Sequence, residues 1–319
     1  MAKGVRTLAL LRIGVAGAGV FGTYHAQKAA ASARTELVGV FDLDGTRAKD
    51  LAGGFGARGF TEFAALLDAV DAVMIATPAT SHADLVAQAL AADRHVLVEK
   101  PLALDAVTAR RLAGDAVTRG KVLQVGHQER FVAKAMGIFA IDEVPTRLES
   151  VRAGPPPQNG RAGDVSVIWD LMIHDLDLAA CMVGREFNRV TAEGHCSVTD
   201  HIDEAVAAFE FAGGGTASLR ASRAAETRER TMRVVYPSGE ISVDFLTRAV
   251  RNTTAYPVRV DIAADLPDPL GAADESFFAA CQGESVSQIP GHGAVAAVAM
   301  AAAAQAAAEA TLEAGEAAT

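Results

Sequence analysis

From Arg12 to about Val125 the chain alternates short, continuous apolar runs with longer stretches of helical composition. The runs are Ile13–Ala16, Leu37–Phe41, Ala72–Ala76, His95–Val98 and Val122–Val125. Between them lie Tyr24–Ala33, Thr46–Gly53, Thr61–Ala69, Ala83–Ala92 and Ala106–Gly120. A strand that is apolar throughout must be buried on both faces, which predicts a parallel sheet sandwiched between helices. Right-handed crossovers make that sheet doubly wound. After Val125 the pattern changes. Gly154-Pro155-Pro156-Pro157-Gln158-Asn159-Gly160 has the composition of a loop. Val167–Val183 reads as one helix, and Ala205–Phe211, Thr216–Ser222, Met232–Tyr236 and Glu240–Phe245 read as strands. Gly213-Gly214-Gly215 and Pro237-Ser238-Gly239 join two pairs of them as hairpins. The expectation is an α/β doubly wound domain over residues 1–125 and an α+β domain with an open, mostly antiparallel sheet over 126–319. A final helix, 293–313, is placed to pack back on the first domain.

The first apolar run leads straight into Gly17-Ala18-Gly19-Val20-Phe21-Gly22. A strand, a glycine turn and a helix start form the phosphate-cradling half of a dinucleotide site. The first glycine allows the tight turn, the second lets the backbone approach a pyrophosphate, and the third lets helix and strand pack closely. The helix N-terminus, at Val20 and Phe21, offers free N–H groups to the phosphates. The second run ends at Asp42, about twenty residues past the last glycine, where a carboxylate can bind the adenosine ribose hydroxyls and repel a 2′-phosphate. The expected fold is therefore a Rossmann domain, and the expected cofactor is NAD. Asp44 rivals Asp42 for that role, Arg47 leaves room for NADP, and either acid can equally cap the following helix.

Composition narrows the partners. The 319 residues carry a formal net charge of −10 and a pI near 5.3, with no basic stripe, which argues against nucleic acid. Cys181, Cys196 and Cys281 are scattered and form no CxxC, so a reducing cytoplasm is the expected setting. The apolar residues near the N-terminus flow into the first strand without a small-residue cleavage site. The alanine-rich run Ala294–Ala304 reads as too short and too weakly apolar to cross a bilayer, and as a packed helix instead.

Three stretches can carry chemistry. Thr77-Pro78, followed by Ser81-His82, ends an apolar strand, and strand C-termini line the ligand crevice of such sheets. His82 can face the cofactor there or cap and pack a helix. Glu99-Lys100-Pro101 follows another buried strand, and Lys is rarely buried without a partner. Lys100 can reach the nicotinamide side of the crevice or snorkel and pair with Glu99. In Asp170-Leu171-Met172-Ile173-His174-Asp175-Leu176-Asp177, helical spacing puts Asp170, His174 and Asp177 on one face. A carboxylate one turn from an imidazole can orient it as a proton acceptor; a solvated acidic face and a metal site are the alternatives. No third metal ligand stands at local spacing, so no metal is expected. His195, Cys196 and His201 are read as strand and loop residues rather than ligands.

Taken together, Gly17–Gly22, Glu99-Lys100-Pro101 and the Asp170-x-x-x-His174 helix resemble the Gfo/Idh/MocA oxidoreductase family over roughly Arg12 to Leu312. The resemblance implies NAD(P)-dependent oxidation or reduction of a sugar, inositol or related polyol. It implies Lys100 as the active-site lysine, His174 as the acid/base, Asp170 as the nearby carboxylate, and a cis bond at Lys100–Pro101. The stretches Gln124–Phe131 and Asp164–Asp175 further resemble the branch that oxidises UDP-N-acetylglucosamine at C3, a step that can feed a 3-amino sugar into lipid A. On the substrate side this puts His127, Asp170 and His174. Arg130, Arg152 and Arg161 are near enough for a diphosphate, whose oxygens a guanidinium fork matches. The alternatives are a dehydrogenase of a free sugar or inositol, and a non-catalytic cofactor-sensing regulator. In the expected reaction Lys100 stabilises the developing alkoxide while His174, oriented by Asp170, takes the hydroxyl proton. The uncovered face of the second sheet is expected to be apolar and to make a homodimer or homotetramer.

Overall fold

The computed structural model describes residues 9–156, 163–262, 265–266 and 268–316. The first layer runs β1 (Leu11–Ala16), α1 (Val20–Ala31), β2 (Thr35–Phe41), α2 (Gly45–Gly53), β3 (Arg58–Phe60), α3 (Phe63–Ala69), β4 (Ala72–Ile75), α4 (His82–Ala91), β5 (His95–Val98), α5 (Ala106–Thr118) and β6 (Leu123–Val125). Every neighbouring pair is parallel, in the order β3-β2-β1-β4-β5-β6. The chain changes direction across the sheet between β1 and β4, so the crevice at their C-terminal ends is the natural ligand site. The short β3 carries no apolar run of its own and was not anticipated.

Strand alternation divides the core. Ala16, Val73, Ile75, Val96 and Val98 join one cluster, while Ile13, Val15, Met74 and Leu97 face the other way. That second face is closed by Ala26 and Ala29 of α1 and by Phe277 and Phe278, which arrive from far along the chain.

Beyond β6 come α6 (Glu129–Met136), β7 (Arg147–Ala153), a π-helical turn (Ile168–Met172), α7 (Ile173–Met182), β8 (Phe187–His195), β9 (Glu204–Phe211), β10 (Thr216–Ser222), β11 (Glu229–Tyr236), β12 (Gly239–Asp244), β13 (Val250–Asn252), α8 (Pro269–Cys281) and α9 (Gly291–Glu316). The second sheet has the order β13-β12-β11-β7-β10-β9-β8, antiparallel except for the parallel β7–β10 pair. The four expected strands correspond to β9 to β12. β7 escaped because Ser150 and Arg152 occupy buried positions where alternation calls for apolar residues. The expected single helix over Val167–Val183 is instead a wide π turn followed by α7, which rotates Asp170 relative to His174.

Two other expectations need correcting. The outward face of the second sheet is mixed rather than uniformly apolar: Val151 and Val206 lie on it, but Arg233 donates to Glu149 and Glu240 at 3.0 Å each, and Arg147 pairs with Glu149 at 3.2 Å. The C-terminal helix is longer than its alanine run suggested, and its 291–314 stretch is long and apolar enough, by length and composition, to cross a membrane. It packs along α5, α7 and β8 and buries Ala294, Ala297, Val298, Ala301, Ala304 and Ala308. Alanine on one face allows that close packing while favouring helix.

Candidate active site

The glycine turn is made by its backbone. Gly17 has φ of +99°, and a Cβ there would lie 2.5 Å from the Ala76 carbonyl. A Cβ on Gly22 would lie 1.7 Å from the Gly17 carbonyl, so the third glycine lets α1 close on the turn. At Gly19 a Cβ would meet nothing within 4 Å. The middle glycine thus borders the open space that a pyrophosphate needs. Gly19 caps α1 without a side chain, and the first turn, with Val20 and Phe21, holds no acid to compete with an anion. Asp42 accepts the Ala18 N–H at 2.8 Å and the Asp44 N–H at 2.9 Å, locking the end of β2 to the turn while lone pairs remain for ribose hydroxyls. Asp44 caps α2 through the Thr46 and Arg47 N–H groups, so the rivalry between the two acids resolves in favour of Asp42. Arg47 is exposed. These residues fit a dinucleotide.

At the ends of β4 and β5 the chain folds its turns together. His82 is buried, with Nδ1 2.7 Å from the Pro101 carbonyl and Nε2 2.9 Å from that of Thr77. It is a strut between the Thr77-Pro78 turn and the Lys100-Pro101 turn, not a free cofactor ligand, and burial pushes its pKa down. The Lys100–Pro101 bond is cis. Glu99 turns inward, away from Lys100: its Oε1 lies 3.2 Å from His25 Nε2, while His25 Nδ1 lies 2.9 Å from Asp274 of α8. Burial alone would strip the His25 proton, but Asp274 and Glu99 reverse this and hold its pKa up at about 10. Asp274 itself is pushed up by burial. Sequence reasoning missed this charged triad, because Asp274 lies 249 residues from His25.

Lys100 is 14% exposed, and its ammonium donates to the Asp170 carbonyl at 2.7 Å and to Asp170 Oδ1 at 3.0 Å. Thus the π turn hands Asp170 to the lysine, whereas the α-helical spacing had assigned it to the histidine. His174 looks instead toward Glu129, with Nδ1 3.9 Å from Oε1, beyond hydrogen-bonding range. Its Nδ1 is buried and unpartnered among the described residues. Burial first, then the cations Arg152 and Lys100, hold the His174 pKa well below its ordinary value, so the ring is neutral at pH 7. His127 is buried beside this group, both ring nitrogens lack hydrogen-bond partners among the described residues, and burial lowers its pKa. Lys100, Asp170, His174 and His127 are therefore brought together at the crevice.

The arginines chosen for the substrate are not free. Arg152 is fully buried and satisfied by Glu129 at 2.9 Å and by Asp175 at 2.9 and 3.2 Å. Arg130 closes its fork on Asp177 and the Gly293 carbonyl, tying α6 to α7 and to the start of α9. Asp177 is thereby removed from the His174 face. Arg161 lies outside the described residues. Cys196 and Asp200 belong to an exposed loop whose backbone N–H groups at Ser197, Val198 and Thr199 all point at Asp203. Among the described residues no group of three or more His, Cys, Asp and Glu side chains is arranged to hold a metal ion.

A doubly wound sheet with an open phosphate cradle, facing a lysine and a neutral histidine under a second, mostly antiparallel sheet, defines a dinucleotide-dependent oxidoreductase. The chain belongs to the Gfo/Idh/MocA family: residues 11–127 match the family's NAD-binding Rossmann fold and residues 146–242 match its C-terminal domain. It is 38% identical over 282 residues, 84% of this chain and 88% of the relative, to UDP-N-acetylglucosamine 3-dehydrogenase of Acidithiobacillus ferrooxidans. The solved structure of that enzyme superposes with a TM-score of 0.85 at 35% identity, covering 96% of this chain and 100% of the other. GenD2 from gentamicin A biosynthesis, solved in complex with NAD, superposes with a TM-score of 0.82 at 27% identity over 97% of each chain. Inositol 2-dehydrogenase of Rhizobium meliloti is 32% identical over 204 residues, 61% of this chain and 62% of the relative.

Proposed function

We propose that the protein oxidises a ring hydroxyl of a nucleotide sugar, C3 of UDP-N-acetylglucosamine, with NAD as the acceptor. The observation that carries the reading is the Lys100 ammonium, held by Asp170 at the crevice mouth within the field of a neutral His174. The 38% identity to an enzyme named for that reaction supports the choice of substrate. NAD, when bound, supplies the hydride acceptor. Gly19 and the α1 N-terminus receive its phosphates, and Asp42 its adenosine ribose. Lys100 donates a hydrogen bond to the reacting hydroxyl and stabilises the negative charge that grows on its oxygen. His174, held neutral, has a ring lone pair free to accept the hydroxyl proton. The π turn fixes Lys100 through two oxygens of one residue, so the ammonium is placed before substrate arrives. The 3-keto sugar so formed is what an amino-transfer step toward a 3-amino sugar of lipid A consumes.

The inositol dehydrogenase relatives favour a second reading, a free cyclitol as substrate. A non-catalytic cofactor sensor is disfavoured by the retention of both Lys100 and His174 in one site. The experiment is a panel: purified protein, NAD, and UDP-N-acetylglucosamine, other nucleotide sugars, free sugars and inositols, followed by NADH absorbance. Turnover confined to nucleotide sugars is the expected result. Turnover confined to inositols replaces the first reading with the second.

A further inference from the structure

Arg230 stands directly across the ladder from Arg152, on β11 and β7. Side chains opposed in this way share a face of the sheet. The next rungs, Met232 with Ser150 and Val234 with Leu148, are buried, so the Arg152–Arg230 rung also faces the covering helices. Like charges on one rung repel. Arg152 takes the hydrogen bonds of Glu129 and Asp175, and the charge of these two acids offsets both Arg152 and Arg230. Among the described residues Arg230 makes no ion pair and no side-chain hydrogen bond. It is partly buried, and burial together with the neighbouring Arg152 opposes its charge. Its field also reaches His174.

The two acids account for the charge of Arg230, but among the described residues none accepts a hydrogen bond from its fork. Met232, Val234 and Tyr236 continue the same face as an apolar row, and an aliphatic residue at position 230 would extend it. A half-buried guanidinium whose donors meet no acceptor among the described residues keeps its fork open to an incoming anion. The cofactor's phosphates belong at the N-terminus of α1, in the other layer. An anion that reaches this fork would therefore belong to the substrate. Arg228, exposed and two residues earlier, adds positive charge at the same strand end.

We infer that Arg230 binds the diphosphate of the substrate and sets the preference for nucleotide-linked over free sugars. This rests on the nucleotide-sugar reading above. A planar guanidinium fork suits two phosphate oxygens, and an ammonium replaces it only in part. Arg130 and Arg152 cannot serve, because their forks are closed by carboxylates of this chain.

The test compares wild-type protein with Arg230→Met and Arg230→Lys. It measures kcat and KM for UDP-N-acetylglucosamine, calorimetric binding of UDP to the NADH-loaded protein, and NADH binding by fluorescence. Arg230→Met is expected to raise KM and the UDP Kd about 10- to 100-fold, the range of a lost charge-assisted hydrogen bond. NADH affinity stays the same, kcat changes far less than KM, and Arg230→Lys recovers part of the loss. If the wild type oxidises the nucleotide sugar and both variants keep its KM and UDP Kd within twofold, the inference fails and the nucleotide-sugar reading stands. If the wild type oxidises only free inositols but binds UDP through Arg230, the substrate reading fails and the anion site stands. If it oxidises only inositols and binds no UDP, both fail. Should Arg230→Met melt early, the Arg230→Lys values decide.

Discussion

The two sides of the crevice are built from different materials. On the cofactor side the work is done by backbone: a turn at Gly17, an open surface at Gly19, a close approach at Gly22, and the N-terminus of α1. On the substrate side it is done by ionised side chains drawn from α6, β7, the π turn, α7 and β11, several of them fully buried. A backbone site tolerates sequence change wherever geometry is kept. A side-chain network does not, because removing one member strands the rest.

Five measurements sharpen that contrast, in descending order of effect. Lys100→Met removes the ammonium to which the proposed reaction assigns the developing negative charge and should lower kcat about 10³-fold, while NADH fluorescence titration stays near wild type. Wild-type-like turnover would refute the role given to Lys100. Arg152→Met leaves Glu129 and Asp175 as buried, unpaired acids, and should cost about 3–5 kcal/mol in denaturant unfolding. A change in substrate KM without that loss would mean that Arg152 binds ligand after all. Gly22→Ala and Gly19→Ala are the same substitution with different consequences. The first collides with the Gly17 carbonyl and should lower the melting temperature; the second enters open space and should weaken NAD binding with the melting temperature unchanged. Equal behaviour in the two variants would break the division between turn and cradle.

The smallest effects are pH-dependent. His174 is held neutral by burial and by Arg152 and Lys100, so the acid limb of kcat/KM that reports it should fall below pH 6.5 rather than at it. A limb at or above 6.5 in the wild type would remove the assignment. His25 works in the opposite sense. Its folded pKa of about 10 exceeds the unfolded value of 6.5, so its contribution to stability is complete below pH 6.5 and is lost as pH rises through 10. Unfolding free energies taken between pH 6.5 and 10 should decline, and His25→Gln should flatten the decline.

What could be read from sequence follows the same division. The glycines, Asp42 and Lys100 stand at the ends of apolar strands, so local pattern located them and topology gave them a purpose. His174 was found by its spacing, but that spacing did not foretell the bonds from Lys100 to Asp170. A π turn adds a residue to the helical ring, and no propensity at Ile168–Met172 announces it. Arg152 and Arg130 looked like ligands because their acids, Glu129, Asp175 and Asp177, come from other elements. Arg230 was overlooked for the converse reason, since nothing near it in sequence marks its fork as open. The charge pairing of a buried residue is a tertiary property, and only strand register and helix packing reveal it.

Helix α8 has a consequence for engineering. Phe277 and Phe278 complete the hydrophobic face formed by Ile13, Val15, Met74 and Leu97, and Asp274 pairs with His25. The nucleotide-binding half is therefore not a portable module. Cut at the end of β6, it would expose an oily surface and leave a buried imidazolium with a single counter-ion. A chimera that exchanges the substrate half for that of another relative must retain α8 from the parent that supplies α1, or graft the two helices as a matched pair.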